Sequence, residues 1–208
     1  MKLHVTAASR RRLDKFEQLS VLVLYGWLVS RLWPEAASIG GYVAVLLLLL
    51  SEGLVCVLLA IRRPTSNISV NLEDWVVAAA GSFLPLLVSR GGEPVLGALG
   101  PLLMLAGIFV HLSAKLTLMR SFGLVAANRG IKVRGPYSYV RHPMYAGYML
   151  THIGFFLAFP SLWNAAVYTA VWTLLVARII AEERVLNDDP NYGDYARLVR
   201  HRIVPGIY

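Results

Sequence analysis

The side chains best suited to bind a charged ligand lie in one polar segment, residues 130–147. Within it, Arg141 and His142 stand directly before Pro143. A proline fits the first turn of a helix, and the residue before it avoids helical geometry, so His142 is expected at a helix entry. A helix start offers free N–H groups and partial positive charge. The segment therefore predicts a pocket for a carboxylate or a ribose, with an interfacial anchor as the alternative.

A second candidate is the acidic pair Glu182 and Glu183, which follows a long apolar run. Acids at the C-terminal end of a helix oppose its dipole, which favours a functional reason for them. Adjacent helical positions do not point the same way. We therefore expect one carboxylate to face inward and the other to pair with Arg178 or to cap a neighbour. A solvated helix end is the alternative.

Composition places these residues in a membrane protein. Of the 208 residues, 57% are hydrophobic and only 15% are charged, and the formal net charge is +8. A soluble domain carries about 25% charged residues. The basic excess fits cytoplasmic loops better than nucleic-acid binding. One cysteine, Cys56, excludes an internal disulfide, and no cluster has metal-ligand spacing, so no metal is predicted.

A helix needs about 20 mostly apolar residues to span a bilayer, and six apolar stretches are candidates. They run approximately over residues 19–33, 37–61, 74–88, 95–118, 144–159 and 162–181. With six spans, all Lys and Arg residues except Arg31 and Arg90 fall on one side. The positive-inside rule makes that side, with both termini, cytosolic. A count of five spans, and a cleaved signal peptide in place of the first, are the alternatives.

Four polar residues fall inside these stretches: Glu52, His111, Lys115 and His152. Ionisable groups in a bilayer are costly and face a cavity or a partner. Glu52 is expected in a buried pair or a substrate cavity. Lys115 is near enough to the cytosolic end to snorkel, and the two histidines fit a role as satisfied core residues.

The polar segments together resemble a known family. The run Gly135-Pro136-Tyr137, followed by residues 140–147, resembles the signature of the isoprenylcysteine carboxyl methyltransferase family. Its C-terminal pattern is matched by Glu182-Glu183-Arg184, Tyr192-Gly193, Tyr195 and residues 202–205, and Ser121-Phe122-Gly123 and Arg129-Gly130 resemble the lead-in of bacterial members. The resemblance covers about Leu116 to Tyr208. Phospholipid N-methyltransferases share this plan.

The resemblance implies an integral-membrane methyltransferase that binds S-adenosylmethionine at the cytosolic membrane face, under a C-terminal helical lid. Arg141 and Arg202 would lie near the reacting groups or the cofactor carboxylate. The other implied residues would bind the cofactor or shape its loop: Lys132, Gly135, Tyr137, His142, Pro143, Tyr145, Gly147, Glu182 and Glu183.

The sequence thus predicts an all-α polytopic membrane helical bundle. Residues 1–118 would form the substrate side and residues 119–208 the methyltransferase core. The expected partners are the bilayer and a lipophilic small molecule or lipid, with no nucleic acid. The acceptor atom, the need for a base and the oligomeric state stay open. A sterol-reductase-like, NADPH-dependent membrane oxidoreductase is the alternative function, because that family has a related Arg-His-Pro motif and a tyrosine-rich C-terminus.

Overall fold

The computed structural model describes residues 6–36, 53–89, 91 and 93–207. These residues form helices and no strand, apart from one isolated bridge between Ile68 and Ala127, so the all-α prediction is confirmed for them. In chain order the helices are α1 (Ala7–Ala36), α2 (helical residues 53–61), α3 (Leu72–Phe83), α4 (Leu99–Leu118), α5 (Pro143–Ala158), α6 (Leu162–Leu186) and α7 (Pro190–Leu198).

Among the described residues, two helical segments are long and apolar enough to cross a membrane, Leu99–Ser121 and Leu162–Leu186. The fifth predicted span is the 16-residue α5. At about 1.5 Å per residue it is shorter than a hydrocarbon core of about 30 Å. The third predicted span is covered by α3 and by the 3-10 turn that follows it at Leu84–Leu87, which contains Pro85. Most of the second span, with Glu52, lies outside the described residues. The count of six stays a prediction.

The chain divides into two compact units. The first contains residues 1–70 and 118–130, and the second contains residues 71–117 and 131–208. The first unit contains a buried cluster of four charges. Asp14 and Glu17 from α1 meet Arg62 and Arg129, and all four side chains are at most 1% exposed. Arg62 Nη2 lies 3.0 Å from Asp14 Oδ1, and Arg129 Nη2 lies 3.3 Å from Glu17 Oε2. Two acids and two bases make the cluster neutral.

The same cluster also organises loop backbone. Glu17 Oε1 accepts the N–H groups of Leu124 and Val125, at 2.7 and 3.1 Å. Asp14 Oδ2 accepts the N–H of Thr65 at 3.2 Å. These carboxylates therefore supply the hydrogen bonds that buried loop backbone needs. The cluster fastens α1 to the segment after α2 and to residues 124–129.

In the second unit, α4 and α5 run antiparallel and meet at glycines. A Cβ added at Gly107 would lie 2.6 Å from Gly147 O, and one added at Gly154 would lie 2.6 Å from Gly100 O. Small residues let the backbones of membrane helices approach closely. The two glycine contacts, seven residues apart on each helix, fix the register of α4 against α5.

Helix α6 is held against α3 and against the segment after it. Asn164 exchanges hydrogen bonds with the Ser89 backbone, accepting at 3.0 Å and donating at 2.9 Å. Towards the other end of α6, Arg184 Nη2 pairs with Asp74 Oδ1 at 2.9 Å. The N-terminus of α6 is capped by Ser161, whose side chain accepts the N–H of Asn164. These contacts position the C-terminal end of α6, which carries the acidic pair.

We predict that Arg62→Met lowers the free energy of unfolding by roughly 3–5 kcal/mol, because it leaves a buried carboxylate without its partner. Arg63→Met is the matched control, since Arg63 is the exposed neighbour. Thermal unfolding in detergent measures both. Equal melting temperatures for the two variants would contradict the proposed role of the cluster.

Gly107→Ala is expected to destabilise the protein by roughly 1–3 kcal/mol through overpacking. The new Cβ would lie 2.4 Å from Thr151 Oγ1 and 2.5 Å from Thr151 N, so the helices must separate. Gly26→Ala on α1, where nothing lies within 4 Å, should instead raise stability by roughly 0.5–1 kcal/mol. Opposite signs in one thermal unfolding series are the expected result. Two losses of similar size would show that helix crossing is not the cause.

Candidate functional site

The site begins at the N-terminal end of α5, where the sequence places His142 and Pro143. His142 is the N-cap, with φ −126° and ψ 58°, and Pro143 occupies the first turn, as predicted. The preceding backbone is paired with the C-terminal segment. The N–H of Arg141 donates to His201 O at 2.9 Å, and that of His142 donates to Arg202 O at 2.8 Å. These hydrogen bonds hold residues 201 and 202 against the N-terminal end of α5.

The Glu183 carboxylate is the centre of the site. His142 Nε2 lies 3.2 Å from Oε1, and Arg141 Nε lies 3.0 Å from the same oxygen. Arg202 donates to Oε2 from Nη2 at 2.8 Å and from Nε at 3.0 Å. The Glu183 side chain is 11% exposed. Both predicted catalytic arginines are therefore drawn to one buried carboxylate, together with the imidazole.

Glu182 lies on the other side of the same imidazole. Its Oε2 is 3.6 Å from His142 Nδ1, and its Oε1 accepts a hydrogen bond from the hydroxyl of Tyr145. Glu183 is thus the acid that faces inward, and Glu182 interacts with Arg178 as expected, but both acids also reach the same imidazole. The two ring nitrogens lie on opposite sides of the imidazole, so carboxylates that point about 100° apart on α6 can both reach it.

These contacts determine the charge of His142. Burial by itself would lower its pKa, but the hydrogen bonds and the charges of Glu182 and Glu183 outweigh burial and raise the pKa above the ordinary 6.5. The protonated imidazole therefore stabilises the acidic pair. The stabilisation is present below pH 6.5 and is lost as the pH rises through the raised pKa of the folded state.

Tyrosines enclose the cluster. The hydroxyl of Tyr195 on α7 donates to Tyr137 O at 2.8 Å. The Tyr145 ring lies 5.3 Å from Arg178 Cζ, which makes Arg178 a buried cationic neighbour of the acidic pair. Burial raises the pKa of Tyr137 and of Tyr195, so both remain neutral hydroxyls. Arg178 was expected to pair with an acid, and it also reaches Ser82 Oγ on α3 at 3.1 Å.

The loop before α5 turns at Gly135, which opens a 3-10 turn over Gly135–Ser138. Gly135 has φ +60°, a conformation that favours glycine, and a Cβ there would lie 3.2 Å from Thr117 Oγ1 at the end of α4. The turn brings Tyr137 to α7. Gly135 and Tyr137 thus shape the loop in the way the resemblance implies.

Two predicted cofactor residues lie elsewhere. Lys132 is half-buried on the segment that leads to the Gly135 turn. Gly147 lies at the α4 crossing, where an added Cβ would be 2.5 Å from His111 N. Their role in cofactor binding stays a prediction. The sequence analysis did not identify Asp14 and Glu17 as buried ion-pair residues. The available signal was that two acids stand three residues apart in an otherwise basic N-terminal segment.

Folding stability is lost as the pH rises through the pKa of His142. We predict that Glu183→Gln lowers the pH of this loss towards the ordinary histidine value of 6.5, because one of the two carboxylates that raise the pKa of His142 is removed. The melting temperature measured between about pH 5 and pH 9 reports the shift. Asp188→Asn is the control, since Asp188 is an exposed acid beyond the end of α6. Identical pH profiles for the wild type and Glu183→Gln would overturn the assignment.

Comparison with known proteins gives a match to one family model. Residues 95–194 match the family model described as phospholipid methyltransferase. No curated protein matches the chain. The matched region contains α4 to α6, the Gly135 turn, the acidic pair and part of α7. The predicted resemblance is therefore confirmed: this part of the chain matches the phospholipid methyltransferases, the family of integral-membrane methyltransferases related to the isoprenylcysteine carboxyl methyltransferases.

Proposed function

We propose that this protein is a multi-pass membrane methyltransferase, with both termini cytosolic, that uses S-adenosylmethionine to methylate a lipophilic or membrane-partitioning acceptor. The observation that supports the proposal most is the cluster of Arg141, His142 and Arg202 around Glu183. It lies at the entry of α5, inside or next to the region that matches the family.

The donor set of the cluster fits the polar groups of S-adenosylmethionine. Carboxylates bind ammonium and ribose hydroxyl groups, which suits Glu182 and Glu183. Guanidinium groups bind carboxylates, which suits Arg141 and Arg202. Burial of these groups strengthens their electrostatic interactions relative to water. The Tyr137 loop and α7 would cover the cofactor, as the lid implied by the resemblance does.

The bound cofactor supplies a methyl group activated on a sulfonium. The residues of this chain have to hold the acceptor in line with that methyl group and exclude water, and accurate positioning supplies much of the acceleration of such a displacement. A carboxylate acceptor needs only orientation. An amine or a thiol must also lose a proton. His142 is engaged by both acids, so we assign it to holding the pocket together and not to proton transfer.

The match to the phospholipid methyltransferase model favours this function over the NADPH-dependent reductase. The two functions also require different cofactors, and a binding experiment separates them. The division into a substrate side and a methyltransferase core at residue 118 concerns function and does not follow the two compact units. It stays part of the proposal.

We predict that the purified protein binds S-adenosylhomocysteine and that Glu183→Gln weakens this binding roughly tenfold or more, because a charged, buried acceptor of hydrogen bonds is lost. Isothermal titration calorimetry in detergent measures the affinity, with Asp188→Asn as the control. Binding of NADPH in place of S-adenosylhomocysteine would overturn the proposed function. Unchanged affinity in Glu183→Gln would retain the function and overturn the site.

A further inference from the structure

Helix α4 carries two ionisable side chains on its buried face. His111 and Lys115 are four residues apart, so they lie on the same side of the helix. They are only 5% and 2% exposed. The expectation that Lys115 snorkels to the surface is not what the structure shows, because its side chain is covered by protein. An ionisable pair inside an apolar helix is costly and points to a function.

Both side chains converge on Tyr148 of α5. Lys115 Nζ lies 5.5 Å from the centroid of the Tyr148 ring, and the His111 ring centroid lies 5.0 Å from it. Among the described residues, His111 Nδ1 is buried without a hydrogen-bond partner. An unsatisfied buried polar atom is unfavourable, so a ligand that hydrogen-bonds to His111 Nδ1 would remove that cost.

The register of α4 against α5 places this group beside the charged cluster of Glu182, Glu183 and His142. Gly147 contacts the α4 backbone at His111, and the contact between Gly154 and Gly100 shows that the helices are antiparallel. Lys115, one turn further along α4, therefore lies near the first turn of α5. That turn holds Tyr145, whose ring centroid is 6.3 Å from that of Tyr148 and whose hydroxyl donates to Glu182.

The other histidine inside the bundle is satisfied. His152 Nδ1 accepts a hydrogen bond from Trp172 Nε1 at 3.3 Å, and its ring stacks on Tyr168 at 4.7 Å between centroids. This arrangement fits the expectation of a core histidine. The contrast with His111 singles out the Lys115 end of the bundle as the place that would accept a ligand.

We propose that Lys115 and His111 form the subsite that holds the anionic group of the methyl acceptor, a phosphodiester or a carboxylate. The proposal rests on the proposed function and names the residues that recognise the substrate. The ammonium of Lys115 supplies positive charge in apolar surroundings, where a charge pair is strong, and His111 Nδ1–H, in that tautomer, donates a second bond.

Ligand binding tests the subsite without depending on turnover. The probes are dihexyl phosphate and dodecanoate, titrated separately into the detergent-solubilised full chain below their micelle concentrations. Wild-type protein is expected to bind at least one probe, and the preferred probe identifies the acceptor anion as a phosphodiester or a carboxylate. Lys115→Met, which keeps the length of the side chain and removes its charge, should bind that probe at least tenfold more weakly. Lys115→Arg should retain affinity within about threefold.

The controls separate this proposal from the proposed function. Lys15→Met, on the exposed face of α1, should bind the probe as the wild type does. S-adenosylhomocysteine affinity should be unchanged within about twofold in Lys115→Met, which also shows that the variant folds. Failure of the wild type to bind either probe, or equal binding by Lys115→Met, overturns the subsite. Loss of S-adenosylhomocysteine affinity in Lys115→Met would assign Lys115 to the cofactor pocket instead. Absence of S-adenosylhomocysteine binding in the wild type overturns the function alone.

Discussion

The second unit of this protein depends on the requirement that a buried carboxylate be fully compensated. Glu183 meets that requirement with partners from three places in the sequence: the loop before α5, the N-cap of α5 and the C-terminal segment. The three partners together satisfy both carboxylate oxygens, and removal of one would leave part of that buried group less well compensated. The charge balance of the cluster and its geometry are therefore linked. The backbone hydrogen bonds from Arg141 and His142 to residues 201 and 202 hold these partners in position.

The first unit applies the same rule for a different purpose. Asp14 and Glu17 neutralise Arg62 and Arg129 and at the same time accept backbone N–H groups from loops. That arrangement fixes loop backbone of the first unit, because its carboxylates accept backbone N–H groups as well as guanidinium groups. His111 differs, since one of its ring nitrogens is buried without a hydrogen-bond partner among the described residues. Comparison of these clusters shows which buried polar groups the fold satisfies by itself.

Local rules were enough to predict the start of the site. The restriction that proline places on its neighbour predicted His142 at the start of α5, and the apolar stretches predicted α4 and α6 to within about five residues at each end. Ion pairs between segments that are distant in the sequence were harder to predict. Arg62 and Arg129 were counted as topology signals, and nothing local indicated that acids on α1 neutralise them. The contact of His142 with both acids was missed. Helical spacing describes the directions of the Glu182 and Glu183 side chains, but it does not show that one imidazole ring can reach both of them. The third predicted stretch is helical over nearly its whole length, but hydropathy does not detect the change of helix type at Leu84 and Pro85.

The pairing of residues 201 and 202 with the entry of α5 also has a consequence for biosynthesis. Helices α4, α5 and α6 are made before residues 201 and 202. The cluster around Glu183 cannot form at that stage, because Arg202 and the carbonyl groups that accept from the α5 entry are still inside the ribosome. Until they emerge, Glu183 lacks the guanidinium partner that Arg202 supplies. The geometry of the cluster is therefore completed only after α6 and α7 have been synthesised.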